Sequence, residues 1–325
     1  MNIIGSSAPN DLGSFSSHAW QLSHQVEAFG KEVFAYSTNS VGDMCGRQLA
    51  AGGYTEAQLE TGLRIRGEDL TALFLNQALE YFQKSFYNFV VQYLLARRGL
   101  LTWAEITNYY SSFFSVHALL CLQGKALTRV TIGTKQVRCQ VVATDLVAHE
   151  YVISSKGAKR RGGEHEAPWK RYYEVYDRYN HPVNEYEVVY KRSYVPDPID
   201  ELSNRQKLNY FPFQGFQEIL FRERMEEFKG NYLTALASPE VGAATEALLQ
   251  TLKALVTDPF FNYFARVALR LLFAADVLKR VSLGNAGLKQ AWDERVPLWR
   301  DFSAVSFSVP AENFMEDMPK LFGHA

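Results

Sequence analysis

The sequence predicts a mainly α-helical protein with a β-rich insertion near its middle and additional helices toward the C-terminus. Two stretches, 68–98 and 102–124, carry apolar residues at three- and four-residue steps, the spacing that one buried helix face requires. The pattern then changes to short β-branched alternation, LTRVTIG and VRCQVVA, before helical spacing resumes beyond Asp197. A chain of 325 residues, 47% hydrophobic and 21% charged, can bury a substantial core and is no disordered segment.

The first 54 residues, rich in Ser, Gly and Asn, read as an N-terminal arm with one amphipathic segment at 19–34. Thr55 and Gln58 have capping-box spacing and start a helical region that Gly67 breaks or kinks. Over 68–98, Leu75, Leu79, Phe82, Phe86, Phe89 and Tyr93 share one face, and Gly99 serves as a C-terminal cap. Thr102 and Glu105 make a second capping box, TWAE. Ile106, Tyr110, Phe113, His117 and Leu120 form one stripe of the helix that follows, which Gly124 ends. So short a turn makes the two helices antiparallel neighbours, with Phe86, Phe113 and Leu120 in their core.

Beyond Gly124, YVISS adds a third β-rich run, and KGAKRRGGEHEAP is a loop by its glycines and charges. WKRYYEVYDRY returns to helical spacing, with Trp169, Tyr172, Tyr173 and Tyr176 on one side, and EYEVVYKRSYV reads as a strand. Asp197 and Pro198 start the helix PIDELSNRQKLNY. Further helices are expected at about 215–236, 239–256, 258–281 and 286–299, with a short one at 311–321. The resulting organisation is an arm (1–54), a helical core (55–124 and 197–236), a β-rich basic insertion (125–196) and a C-terminal helical region (237–325). No period of a solenoid is present.

Several functions lose support at once. The 34 Lys+Arg nearly balance 35 Asp+Glu, so whole-chain charge gives no argument for nucleic acid. Cys45, Cys121 and Cys139 are odd in number and lack metal-type spacing, so neither a disulfide framework nor a metal site is expected, and the chain reads as cytoplasmic. The N-terminus has no basic region followed by an apolar run, so no secretory signal is expected. The apolar stretch 267–278 is interrupted by Arg270 and Asp276 and is too short for a membrane. Phosphate-loop, dinucleotide, HExxH and GxSxG motifs are all missing, and no cofactor is expected.

The most distinctive segment is ITNYYSSFFSVHALLCLQG, 106–124. Its Tyr109, Tyr110, Ser111, Ser112, Phe113, Phe114, Ala118, Leu119, Leu120 and Gly124 match a landmark pattern: paired tyrosines, small residues, an aromatic pair and an ALL run ending at Gly. SNRQKLNY supplies a second landmark, a helix carrying Arg with a polar-aromatic ending. In this order the two resemble HEPN domains, helical modules of prokaryotic toxin–antitoxin and antiviral-defence systems. The likeness covers about 68–124 and 198–221. It implies a HEPN-like helical bundle, a homodimer and an RNA target. Catalytic members resemble metal-independent endoribonucleases with an Arg-x4–6-His motif, in which Arg stabilises phosphate charge and His transfers a proton. By motif, Arg205 falls on the Arg, whereas Tyr210 stands where the His would be. With a pKa near about 10, Tyr is a poor base at neutral pH, so the resemblance implies a degenerate site. A rival reading makes Arg205, Asn209 and Tyr210 a buried hydrogen-bonded cluster. His117 is the other candidate catalytic His, and on an apolar stripe it reads equally as a core residue. Arg160 and His165 also fit the spacing, but the two glycines between them deny it a fixed geometry.

Residues 125–163 carry eight cations against Asp145 and Glu150, a net +6 in a nearly neutral chain. Lys156, Lys159, Arg160 and Arg161, with Lys170 and Arg171 beyond them, are the candidate nucleic-acid-binding residues. Nearby aromatics would stack on bases. A solvated hairpin beside a packed helix, or an acidic protein partner in a defence complex, fits the same pattern. The sequence thus points to a nucleic-acid-associated protein of toxin or antiviral-defence type with a degenerate site. The alternatives are an endoribonuclease using Arg205 with His117 or Tyr210, and a structural subunit of a multiprotein complex.

Overall fold

The computed structural model describes residues 2–6, 29–30, 34, 37, 39–97, 100–155, 165–177 and 262–307. They are mostly helical, with one antiparallel sheet. The helices are α1 (Val41–Ala51), α2 (Glu56–Thr61), α3 (Glu68–Arg97), α4 (Leu101–Cys121), α5 (Glu166–Asp177), α6 (Asn262–Gly284) and α7 (Ala286–Phe307). The strands are β1 (Asn2–Ser6), β2 (Leu63–Arg66), β3 (Lys125–Ile132), β4 (Lys135–Asp145) and β5 (Glu150–Ser154), ordered β1-β2-β5-β4-β3. Two compact units divide these elements. The first holds the sheet, α1, α2, α5, α3 as far as Tyr81, α4 from Val116, and 280–289. The second holds the remainder of α3 and α4, α6 to Lys279, and α7 from Gln290.

In the first unit the β-rich runs form the expected strands, and YVISS falls on β5. They do not make a sheet of their own: β5 also pairs with β2, from ahead of α3. That strand corrects the helical reading of 55–66. The Thr55–Gln58 box starts a helix of only six residues, and Gly62 turns the chain with φ 88, where L side chains are strained. LRIR then alternates, with Leu63 and Ile65 buried and Arg66 exposed. The N-terminal arm also holds an unexpected helix. Ser40 caps α1 by accepting from Asp43 N at 3.1 Å, while Asp43 Oδ2 accepts from Ser40 N at 2.9 Å. α1 packs against β3, covering the strand at the end of the sheet order. Above the apolar side of the sheet, Phe74 of α3 stacks on Tyr151 of β5 with centroids 5.7 Å apart.

In the second unit, Phe82 of α3 packs on Trp292 and Trp299 of α7 and Phe86 on Trp299, with centroids 5.5–6.0 Å apart. Phe86 is fully buried, as expected. The expected stripe of α4 is only partly inside. Ile106 is buried, but Tyr110 and Phe113 are half-exposed, while Asn108, Ser111, Ser112 and Ser115 are buried. Small hydroxyl side chains let α4 approach its neighbours closely and still satisfy their own polar atoms, and this displaces the aromatics sideways. The TWAE box is not used either. Ala104 N donates to Leu100 O at 2.9 Å, so α4 starts one residue before Thr102. α7 runs through Pro297 to Phe307, beyond the expected end at 299. The expected strand at 185–195 and the helices expected over 198–256 and at 311–321 lie outside the described residues.

Candidate nucleic-acid interface

Residues directly opposed in a sheet share a face, and alternate residues along a strand swap faces. Register therefore assigns every side chain of β2–β5. One face carries Leu63, Ile65, Val130, Cys139, Val141 and Ile153, all buried. The other carries Arg64, Arg66, Lys125, Arg129 and Arg138 against two carboxylates, Asp145 and Glu150. One row reads Lys125–Val142–Val152–Arg64, three interstrand steps or about 14 Å. Val142 and Val152 in its middle are buried, so the charges lie on two flanks.

The hairpin flank is formed by β3 and β4. Gly133, with φ 59, takes the left-handed first position of a two-residue turn. Arg129 and Arg138 stand directly opposite one another, both exposed, with Thr131 and Gln136 as the next pair. Arg129 Nη1 donates to Gln136 Oε1 at 3.4 Å. Like charges directly opposed on a sheet destabilise it, and a bound anion removes that cost. Such a surface offers a phosphate oxygen several charge-assisted donors at once.

The residues chosen from sequence fare differently. His117 is 8% exposed on α4, and its ring lies against Tyr81 with centroids 4.8 Å apart. Burial, and secondarily His165, pushes its pKa down to about 4, so the imidazole is neutral at pH 7. Burial, then neighbouring Cys121, pushes the Tyr81 hydroxyl up. Lys170 and Arg171 lie half-buried on α5, and Lys170 is ion-paired with Glu166 one turn earlier. Trp169 and Tyr172 beside them are fully buried and pack edge to face at 6.3 Å, so they are core residues and no platform for bases. Lys156, Lys159, Arg160, Arg161, Arg205 and Tyr210 lie outside the described residues.

Arg64 and Arg66 were not legible as site residues, because 55–66 reads as helical. The signal was the strict alternation of LRIR. Among the described residues no group of three or more His, Cys, Asp or Glu is placed to hold a metal, and the three cysteines are buried thiols outside any disulfide. No described helix is long and apolar enough to cross a membrane. Comparison with known protein families, curated proteins and solved structures finds no match to this chain.

Proposed function

We propose that this chain is a HEPN-like protein of toxin or antiviral-defence type that binds RNA by its phosphate backbone and does not cleave it. The single observation that carries the binding is the hairpin flank, where Arg129 and Arg138 are opposed and exposed in an otherwise charge-balanced protein. The HEPN-like identity rests on the residues of 106–124 and 203–210, a homodimer follows from that likeness, and a cytoplasmic location from the odd, unspaced cysteines. The absence of cleavage follows from chemistry: Tyr210 replaces the motif His, and His117 is a neutral ring packed in a core. The charge-reversed Arg129→Glu, Arg138→Glu double variant tests the interface. In filter binding with single-stranded and structured RNA, it is expected to lose most affinity and much of the salt dependence, because fewer counterions are released. Wild-type affinity in the variant, or chelator-resistant RNA cleavage by wild type that Arg205→Ala abolishes, would overturn the reading.

A second reading, a structural subunit of a protein complex, has one observation of its own. Leu100 and Trp103, at the start of α4, are 49% and 62% exposed. Large exposed apolar side chains side by side suit a protein partner.

A further inference from the structure

The hairpin flank carries more than its two arginines. On the same face, two residues nearer the turn and about 7 Å along the strands, Thr131 stands directly opposite Gln136. All four side chains are exposed. The register from Lys125 to Ile132 is unbroken, so two cations and two neutral polar groups occupy adjacent cross-strand pairs.

The chemistry of the arginine fixes the orientation of the glutamine. A guanidinium has donors and no acceptor, so the carboxamide atom that meets Arg129 Nη1 at 3.4 Å is the oxygen, Oε1. Gln136 Nε2 is then turned away from Arg129, with two protons to give. Thr131 Oγ1 supplies an acceptor across the pair. Directly opposed side chains have Cβ atoms about 5 Å apart, close enough to bracket one small group between them. A donor and an acceptor together suit a hydroxyl, which both accepts and donates.

Neither β3 nor β4 carries an aromatic residue, so the hairpin has no platform on which bases stack. A strand held here is read through its sugar–phosphate backbone. In that backbone the ribose 2′-hydroxyl, both donor and acceptor, is the group that separates RNA from DNA. The ribose lies between consecutive phosphates, so a strand with a phosphate on the arginines carries a ribose toward the Thr131–Gln136 pair.

We propose that Thr131 and Gln136 read the ribose 2′-hydroxyl beside the phosphate held by Arg129 and Arg138, and so make the hairpin selective for RNA over DNA. The inference rests on the RNA-binding reading above and adds the residues that set its specificity. The hydroxyl oxygen accepts from Gln136 Nε2, and its proton goes to Thr131 Oγ1. The arginines hold the phosphate and carry no such discrimination.

The test uses the full chain in fluorescence anisotropy, with a labelled single-stranded RNA oligonucleotide and its 2′-deoxy counterpart of identical bases. Wild type is expected to bind the RNA about three- to tenfold more tightly, as one or two neutral hydrogen bonds allow. The Thr131→Val, Gln136→Met double variant keeps the size of both side chains. It is expected to bind RNA no more tightly than the deoxy strand, with its deoxy affinity and salt slope unchanged, since the phosphate contacts remain. Thr131→Ser keeps the hydroxyl and is expected to keep the preference. Equal wild-type affinity for the two strands, or a preference that survives in the double variant, would overturn the readout. With binding still lost in Arg129→Glu, Arg138→Glu, either result leaves the interface standing. No RNA binding by wild type would overturn the interface and the readout with it.

Discussion

Ser85 and Ser111 exchange hydrogen bonds across α3 and α4. Each hydroxyl donates to the other residue's carbonyl oxygen, both at 2.7 Å, and both side chains are fully buried. The pair fixes how closely the helices approach, since anything larger than Ser would push them apart. Ser112, the next residue, accepts from Arg270 Nη1 of α6. The small-residue run of α4 is thus a polar seam inside the second unit.

Ser111→Ala removes one hydroxyl and leaves space, and it is expected to lower stability by about 1 kcal/mol. Ser111→Leu adds bulk at the point of closest approach and is expected to cost about 1–3 kcal/mol. Urea unfolding of the two variants checks this. A leucine variant as stable as wild type would mean that the serines do not set the helix spacing.

Gly42 and Gly46 of α1 lie one turn apart and make opposite predictions. A Cβ on Gly42 would meet Thr128 Oγ1 and stand 2.5 Å from Arg129 O, a backbone atom that cannot swing away. Gly42→Ala is therefore expected to destabilise by about 1–3 kcal/mol. A Cβ on Gly46 would lie 3.4 Å from its nearest neighbours, Thr131 N and O. Gly46→Ala is expected to be neutral, or stabilising by up to about 1 kcal/mol, because alanine is the better helix former. Melting temperatures that move the same way for both would refute this packing of α1 on β3.

These positions also show what the sequence disclosed. α3 was legible to within a residue because thirty residues of regular apolar spacing are bounded by Gly67. β3 and β4 were legible by alternation and by Gly133. α1 was not, because its glycines lower helix propensity and Asp43, which completes the capping box of Ser40, is less familiar there than Glu or Gln. Helical spacing and aromatic size place Phe113 inside, whereas the structure leaves it half-exposed. Serines that bond to a neighbouring helix can be buried more deeply than phenylalanine, and no single-sequence pattern tells such a serine from a surface one. The proposed interface was half legible. Charge excess pointed to 125–163, but only the register shows that Arg129 faces Arg138 and that β2 adds Arg64 and Arg66 to the same side.

His117 predicts acid sensitivity. In the folded chain burial, helped by His165, holds its pKa at about 4 against an ordinary 6.5. Between those values the unfolded chain binds more protons, so stability is full above pH 6.5 and is lost as pH falls toward 4. The whole loss is on the order of 3 kcal/mol. His117→Phe keeps a ring against Tyr81 and cannot titrate. Its urea midpoint is expected to fall less than wild type's between neutral pH and pH 4.5. Parallel curves for the two proteins would remove His117 from the acid response.

The opposed arginines predict that stability and binding change in opposite directions. Arg138→Thr replaces a directly opposed cation with a β-branched residue suited to a strand. Relief of like-charge repulsion is expected to raise stability by about 0.2–1 kcal/mol. Arg129 keeps its hydrogen bond to Gln136, which lies on the same face. RNA affinity is expected to fall, and the slope of log affinity against log salt to decrease by about 1, one phosphate contact's worth. The residue's two effects have separate causes: repulsion acts in the free protein, and the phosphate offsets it only in the complex. A thermal melt and a salt titration on the same preparation check both signs. A variant that loses both stability and affinity would show that Arg138 supports the fold. A variant more stable than wild type with unchanged RNA affinity would show that the opposed pair is not where the phosphate binds.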